Sequence, residues 1–219
     1  MNTRITDVLH HIRFFFVPYL IVLITCLVIK LCYTREAIYF AVNARHSDWG
    51  DFIFPYVTNF GEGYLVVTLT LVMLLFSYRK TILIITSFAI SGILVQIVKH
   101  IVQAPRPVVY FEKDLANIHF VKGISLLHSN SFPSGHTVTA FSAAVVLSYL
   151  AVNKRWGFIF LLMAIAVAYS RMYLSQHFFE DVTAGSMLST ISTVIWITWM
   201  DGRAFMHSQN MSKGLLRRK

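Results

Sequence analysis

Six long apolar runs, separated by short polar segments, dominate the pattern of hydrophobic and polar positions along the chain. An α-helix rises about 1.5 Å per residue, so about 20 apolar residues cross the roughly 30 Å hydrocarbon core of a bilayer. The pattern therefore predicts an all-α, polytopic membrane protein whose six spanning helices form a bundle. The expected spans are 14–33, 64–78, 81–98, 137–152, 156–169 (or slightly beyond) and 182–200.

The segment 34–61, between the first two runs, has a different pattern. Its apolar residues recur at i, i+3, i+4 and i+7, which predicts an amphipathic helix with Ser47 or Asp48 as its N-cap. Two interpretations remain open, an aromatic-rich helix lying at the membrane surface or a loop helix packed on the bundle. The residues of this aromatic stripe are Trp49, Phe52, Ile53, Tyr56, Val57 and Phe60.

Composition supports an integral membrane protein. Hydrophobic residues make up 56% of the chain and charged residues 13%, whereas a soluble domain carries about 25% charged residues. The net charge of +9 does not indicate a nucleic-acid partner, because the basic residues lie in scattered pairs and form no stripe. No composition shift marks a boundary, so residues 1–219 are expected to form a single membrane domain.

Three smaller features of the apolar runs lead to further expectations. No small-residue cleavage site follows the first run, so this run is expected to be an anchor helix and not a removed signal peptide. Cys26 and Cys32 would lie roughly 240° apart around one helix and are not expected to pair with each other. Gly185 and Ser189 are small residues four apart, a spacing that allows helices to approach closely.

The basic residues indicate how the bundle is oriented. With six spans, both termini lie on one side, together with the tight turns at 79–80 and 153–155. These turns and the tail are basic, so this side is expected to be cytoplasmic. The opposite side then carries the segments 34–61, 105–135 and 170–181. The basic tail residues are Arg203, Lys213, Arg217, Arg218 and Lys219.

The stretch 170–181, SRMYLSQHFFED, is the strongest candidate for chemistry. Charged groups beside membrane-length apolar runs are costly unless they are functional or in contact with water. His177 and Asp181 are four residues apart, so on a helix they share a face and can form a hydrogen bond. A carboxylate in that position fixes the tautomer and orientation of a reactive histidine. Glu180 is interpreted as a solvated or salt-bridged neighbour.

Two further stretches on the same expected face add an anion site. Lys99, Arg106 and Arg171 supply three cations with many N–H donors, which suit an oxyanion such as phosphate. Ser134 and Gly135 lie where a helix is expected to begin, and the free N–H groups and positive dipole end of a helix start bind anions.

The two histidines of these stretches complete a phosphoryl-transfer site. His136 and His177 offer imidazoles that titrate near neutral pH, one to attack and one to protonate. The residues alone leave open which histidine attacks, although the carboxylate four residues on favours His177. No H-E-x-x-H helix and no Cys/His set is present in the sequence, so no metal site is expected.

Three motifs in these stretches resemble those of the membrane-bound type 2 phosphatidic acid phosphatase superfamily, the lipid phosphate phosphatases. The family motifs are K-x6-RP, PSGH and SR-x5-H-x3-D, and every defining position is matched in order. In this chain the motifs are Lys99…Arg106-Pro107, Pro133-Ser134-Gly135-His136 and Ser170-Arg171…His177…Asp181. The motifs and the span pattern cover most of residues 64–200, whereas the first 60 residues and the tail carry no motif.

The resemblance implies a role for each matched residue. His177 would attack phosphorus and carry a phosphohistidine, with Asp181 orienting it. His136 would protonate the leaving oxygen and then help to activate water. The family needs no metal or other cofactor. The groups that would hold the phosphoryl oxygens are Lys99, Arg106, Arg171, Ser134 and the Gly135 amide.

The resemblance also implies a lipid phosphate as substrate, in the bilayer of a bacterial inner membrane. Family base rates favour undecaprenyl diphosphate over phosphatidylglycerol phosphate or a lipid A phosphate. The loop 105–135 is the expected place for head-group selectivity. A phosphotransferase would share every residue named, and a transporter of anionic lipids is the alternative from another class, although lipid binding alone does not require the histidine pair. The sequence indicates no oligomeric state.

Overall fold

The computed structural model describes residues 3–216, and within that range the chain forms helices and 3-10 turns but no strand. The basic tail residues Arg217, Arg218 and Lys219, expected on the cytoplasmic side, lie outside the described range. The helices are α1 (Ile5–His11), α2 (Arg13–Cys32), α3 (Arg35–Asn43), α4 (Asp48–Val57), α5 (Gly63–Phe76), α6 (Tyr78–Val102), α7 (Pro107–Tyr110), α8 (Gly135–Leu150), α9 (Trp156–Tyr173) and α10 (Phe179–Asp201).

The six predicted spans coincide with the six longest helices of the described chain: α2, α5, α6, α8, α9 and α10. Four of these, α2, α6, α9 and α10, are long and apolar enough to cross a bilayer. Helix α5 passes the same test only together with the segment Asp48–Gly61, from which it is bent by 53°. The all-helical membrane bundle is therefore confirmed with four or five candidate spans.

Helix α8 lies at the centre of the bundle. Its 16 residues include eleven that are buried, whereas the 20-residue α2 buries only Phe15 and Tyr19. Helix α8 packs against α6, α9 and α10, so protein surrounds most of its length. A helix enclosed in this way can be shorter than the bilayer, because its terminal polar groups meet protein groups and not lipid.

A cluster of buried hydroxyl groups joins three of these helices. Ser91 of α6 lies 3.1 Å from the Ser192 hydroxyl and 3.2 Å from the Thr193 hydroxyl of α10. Thr193 in turn donates to Ser142 of α8 over 2.9 Å, and Ser91 reaches Ser142 at 3.4 Å. Such hydrogen bonds satisfy polar groups inside the membrane and link helices directly.

Within the segment 34–61 the predicted amphipathic helix is present as α4, and a second helix, α3, precedes it. Ser47, one of the two expected caps, accepts the Gly50 N–H over 3.1 Å and begins α4. The aromatic stripe points away from the bundle, with Trp49 74% exposed. Helix α4 packs on the bundle through its other face, where Phe54 contacts Tyr173, while the aromatic stripe stays exposed, so the helix shows a feature of each open interpretation.

Several smaller expectations are confirmed. Cys26 and Cys32 are both free. A Cβ built on Gly185 would lie 3.0 Å from the Ser134 carbonyl oxygen, so the glycine does allow a close approach of α10 to the start of α8. Glu180 forms salt bridges with Arg35 and Lys30.

A buried ion pair joins α6 and α10 at the end of the bundle opposite to the motifs. Arg79 donates two hydrogen bonds of 2.7 Å to the carboxylate of Asp201, which also accepts the Tyr149 hydroxyl over 2.6 Å. Asp201 is only 1% exposed. Because the guanidinium and the hydroxyl both donate to it, this buried carboxylate is well compensated.

Candidate active site

The structure brings the candidate residues together at one end of the bundle, where α6, α8, α9 and α10 meet. They come from the last turn of α6, the loop after it, the start of α8, the last turn of α9, the α9–α10 loop and the first turn of α10. Two contacts show the convergence. The Ser134 N–H donates to the Asp181 carbonyl over 3.0 Å, and Arg106 Nη1 lies 3.4 Å from His177 Nε2. The residues are Lys99, Arg106, Ser134, Gly135, His136, Arg171, His177 and Asp181.

His177 and Asp181 form the hydrogen bond that their spacing predicts. His177 Nδ1 lies 3.3 Å from Asp181 Oδ2, and both side chains are almost completely buried. The same carboxylate oxygen accepts the Ser131 hydroxyl over 2.5 Å and the Phe178 N–H over 2.8 Å. Three donors therefore fix the carboxylate, and the carboxylate fixes the imidazole.

The position of Arg106 indicates the tautomer of His177. A guanidinium only donates hydrogen bonds, so the Nε2 atom that faces Arg106 must be the accepting nitrogen. Nδ1 then carries the proton and donates it to Asp181. Burial, followed by the nearby cations Arg106, Arg171 and Lys99, holds the pKa of His177 well below its usual value. The imidazole is therefore neutral at pH 7, with a lone pair on Nε2.

The three cations of the site carry excess positive charge. Lys99 donates to the Asn130 carbonyl over 2.8 Å, Arg106 to the Gln176 carbonyl over 3.0 Å, and Arg171 to the Thr58 hydroxyl over 2.7 Å. All these partners are neutral. Within residues 3–216, none of the three cations forms a salt bridge with a carboxylate, and the buried Nε of Arg171 has no hydrogen-bond partner. Uncompensated buried cations favour an anionic ligand.

The start of α8 provides a second anion-binding feature. Ser134 is the N-cap and accepts the Thr137 hydroxyl over 3.0 Å. A Cβ built on Gly135 would meet no atom of the described chain within 4 Å, so the first turn borders open space. The first N–H groups of a helix have no intrahelical partner and can therefore bind an anion there.

His136, on this first turn, is paired with a carboxylate of its own. Its Nε2 lies 2.9 Å from Glu62 Oε1. Glu62 directly precedes α5, and its side chain is 43% exposed, whereas that of His136 is 23% exposed. The site thus contains two histidine–carboxylate pairs, one buried and one at the surface.

Comparison with known proteins decides the family. The model of the PAP2 superfamily matches residues 80–205, more than half of the chain and all three motifs. The chain belongs to the PAP2 superfamily. The resemblance drawn from the motifs is therefore confirmed, as is the expectation that the chain is a member of a phosphatase family.

The names and solved structures of proteins related to this PAP2 protein agree with that assignment. An undecaprenyl-diphosphatase of Sulfolobus acidocaldarius is 28% identical over 152 residues, which span 66% of this chain and 66% of that protein. The crystal structure of LpxE from Aquifex aeolicus is similar with a TM-score of 0.64 at 28% identity, covering 73% of this chain and 92% of that one. A transmembrane PAP2-type phosphatidylglycerolphosphate phosphatase from Bacillus subtilis has a TM-score of 0.60 at 25% identity, covering 84% and 93%.

Two residues of the PAP2 site, Ser131 and Glu62, were not expected from the sequence. Ser131 lies outside the three motifs, and its only signal is that it stands three residues before the N-cap of α8. Glu62 gives a clearer signal, because it is an acidic residue between two glycines at the start of an apolar run, where a charge is costly. Both contact their partners across long separations in sequence, 50 residues to Asp181 and 74 residues to His136.

Proposed function

We propose that this PAP2 protein hydrolyses a phosphate monoester or diphosphate of a membrane lipid through a phosphohistidine intermediate. The observation that carries the proposal is the neutral, buried His177, oriented by Asp181 and surrounded by cations that lack carboxylate partners. A lone pair aimed into a positive pocket is suited to attack on an electrophilic phosphorus.

In the first step, His177 Nε2 attacks phosphorus while the bond from phosphorus to the leaving oxygen breaks. His136 donates a proton to that oxygen, so the leaving group departs as an alcohol or a lipid phosphate. The positive charge that develops on His177 is stabilised by Asp181 through the hydrogen bond to Nδ1. A phosphohistidine remains.

In the second step, water attacks the phosphohistidine. His136 now accepts a proton from the water, the bond between phosphorus and His177 Nε2 breaks, and inorganic phosphate leaves. Lys99, Arg106 and Arg171, with the Ser134 hydroxyl and the Gly135 amide, hold the phosphoryl oxygens and neutralise their charge. These cations take the charge-neutralising part that a metal plays in other phosphatases.

We place the site at the non-cytoplasmic face of a six-span bundle, with both termini cytoplasmic. The support is the buried α8 as the sixth span and the basic turns around Arg79 and Arg155 at the other end of the helices. The exposed aromatic stripe of α4, next to the site, suits the interfacial zone of a bilayer. A bacterial inner membrane agrees with this arrangement.

Undecaprenyl diphosphate is our first choice of substrate, because a relative named undecaprenyl-diphosphatase matches two thirds of the chain. Phosphatidylglycerol phosphate follows, since the Bacillus subtilis structure is of a phosphatidylglycerolphosphate phosphatase, and a lipid A phosphate is a further alternative. A phosphotransferase would use the same residues, with a lipid hydroxyl in place of water. A lipid transporter would not need the His177–Asp181 pair, and we therefore favour the enzyme.

The test is phosphate release by the detergent-purified protein with EDTA present. Undecaprenyl diphosphate, phosphatidylglycerol phosphate, phosphatidic acid and a lipid A fraction are compared in parallel, using the wild type, His177→Ala and His100→Ala. His100 is a matched control, because it is an exposed histidine next to Lys99. Release from one lipid that resists EDTA, is lost in His177→Ala and persists in His100→Ala supports the proposal.

Three other results are informative. Release that survives in His177→Ala shows that another group attacks phosphorus. Release that EDTA abolishes shows that a metal takes part. If phosphate appears only on a second lipid added as acceptor, the protein is a phosphotransferase.

A further inference from the structure

An apolar groove runs along the outside of the bundle between α5 and α9. Its floor is formed by α8, with Ala140, Ala143, Ala144 and Leu147, and its cavity of about 70 Å³ is open on one side. The rim residues Leu65 of α5 and Met163 of α9 are exposed, 37% and 44%. In the membrane this groove therefore opens toward lipid.

The groove begins at the candidate site. His136 and the floor residues Ala140, Ala143 and Leu147 are spaced i, i+4, i+7 and i+11, so they share one face of α8. His136 thus stands at the top of this face. The contacts of Gly61 agree, because a Cβ built there would lie 2.7 Å from Val167 of the groove wall and 2.9 Å from His136 Cβ. The groove wall and the Cβ of His136 are therefore close to each other.

The dimensions suit a hydrocarbon chain. From Ala140 to Leu147 the floor extends seven residues, about 10 Å along the helix axis, or about a third of the hydrocarbon thickness of a bilayer. Alanines form most of the floor, and their small side chains leave depth that larger apolar residues would fill. The groove residues carry no charge, whereas the site at its upper end carries three cations.

We propose that this groove binds the hydrocarbon chain of the substrate's leaving group. The inference rests on the proposed function, in which His136 protonates the oxygen to which that chain is attached. The cations hold the phosphoryl group, His136 meets the bridging oxygen, and the chain continues down the face of α8. The ligand is a lipid whose chain is apolar for at least the length of the floor.

The experiment compares two substrates that differ only in their chain. One is the lipid hydrolysed in the assay above, and the other is its analogue with the chain cut to four carbons, which keeps the phosphoryl group and cannot fill the groove. The variants are Ala143→Phe, which fills the floor, and Met163→Trp, which narrows the rim. Ala89→Phe is the matched control, because Ala89 is exposed on α6, outside the groove.

We expect both groove variants to lower kcat/KM for the long-chain lipid by about tenfold or more, because bulk added to an apolar pocket discriminates by about that factor. Hydrolysis of the short analogue should not change, and the control should match the wild type for both substrates. Unchanged hydrolysis of the long lipid by both groove variants would overturn the proposal and leave only ordinary bilayer lipid in the groove. An equal loss for both substrates in both variants, or the same selective loss in Ala89→Phe, would overturn it too. If the wild type hydrolyses neither substrate, the proposed function itself has failed.

Discussion

Replacing Ser131 with alanine is expected to slow catalysis without unfolding the protein. The Ser131 hydroxyl is fully buried and donates a 2.5 Å hydrogen bond to Asp181 Oδ2. It also lies 3.4 Å from His177 Nδ1. The substitution removes one of the three donors that fix the carboxylate and leaves the Phe178 N–H and the imidazole in place.

The size of the effect follows from the charge of the acceptor. A hydrogen bond to a charged group contributes about 1.5–3 kcal/mol, and about 1.4 kcal/mol corresponds to a tenfold change in rate. If the whole contribution acts on the transition state, kcat/KM should fall by about 10- to 150-fold. Two donors remain on Asp181, so we expect the loss to lie toward the lower half of that range.

The assay measures kcat/KM, the rate of phosphoenzyme formation and the thermal unfolding midpoint in detergent. Ser87→Ala is the control, because Ser87 is equally buried and its hydroxyl has no hydrogen-bond partner among residues 3–216. That variant removes a hydroxyl of the same size from α6 and should leave both the kinetics and the unfolding midpoint close to those of the wild type.

Wild-type kcat/KM in Ser131→Ala would refute the reasoning, because it would mean that Ser131 does not help to orient the pair. A lower midpoint together with unchanged phosphoenzyme formation would assign the serine a purely structural part. Slower phosphoenzyme formation at an unchanged midpoint is the expected pattern.

Three further predictions concern pH, stability and shape. Burial lowers the pKa of His177, so below about pH 6.5 the unfolded chain binds a proton that the folded chain does not. The thermal unfolding midpoint should therefore fall as the pH drops below that value. The fall should be smaller in His177→Gln. Asp201→Asn should reduce the free energy of unfolding by about 1–3 kcal/mol, less than for a fully buried ion pair because the side chain of Arg79 is one third exposed. The variant should keep its kcat, since the candidate site is at the other end of the bundle. Gly61→Ala should reduce kcat at least tenfold, because the new Cβ would lie 2.9 Å from His136 Cβ. The control Gly92→Ala adds a Cβ in open space and should keep the wild-type kcat. Equal kcat in the two variants would contradict this account.

The helices could be predicted because their cause is local. Each long run is apolar enough to require burial or lipid, and polar turns such as 79–80 and 153–155 interrupt the runs. In the segment 34–61 the start of α4 at Ser47 was predicted, whereas α3 was not. Both halves are amphipathic, and the break at 44–47 depends on Ser47 capping α4 and on Tyr173, whose hydroxyl accepts the Ser47 N–H.

In the candidate site, too, contacts with a local cause could be predicted and contacts that depend on the tertiary fold could not. The His177–Asp181 contact spans only four residues, so the sequence was enough to predict it, although His177 lies in the loop just before α10 and not on a helix. The partners of the cations were not predictable, because the loop 105–135 must first fold back. Only then do the Asn130 and Ser129 carbonyls reach Lys99 and Arg106. Contacts with Ser131 and Glu62 depend on the same tertiary arrangement.

The hydroxyl cluster of Ser91, Ser142, Ser192 and Thr193 has a consequence for the precision of the chemistry. Each such bond contributes on average only about 0.6 kcal/mol in a membrane protein, but hydrogen bonds, unlike apolar contacts, are satisfied at one rotation and one height of each helix. The three helices joined here carry Lys99, His136 and Asp181 at their ends. A slide of α10 by one turn would break most of these bonds and move Asp181 by about 5 Å. The cluster, remote from the candidate site, thus restricts the axial alignment of the three helix ends that carry these candidate residues.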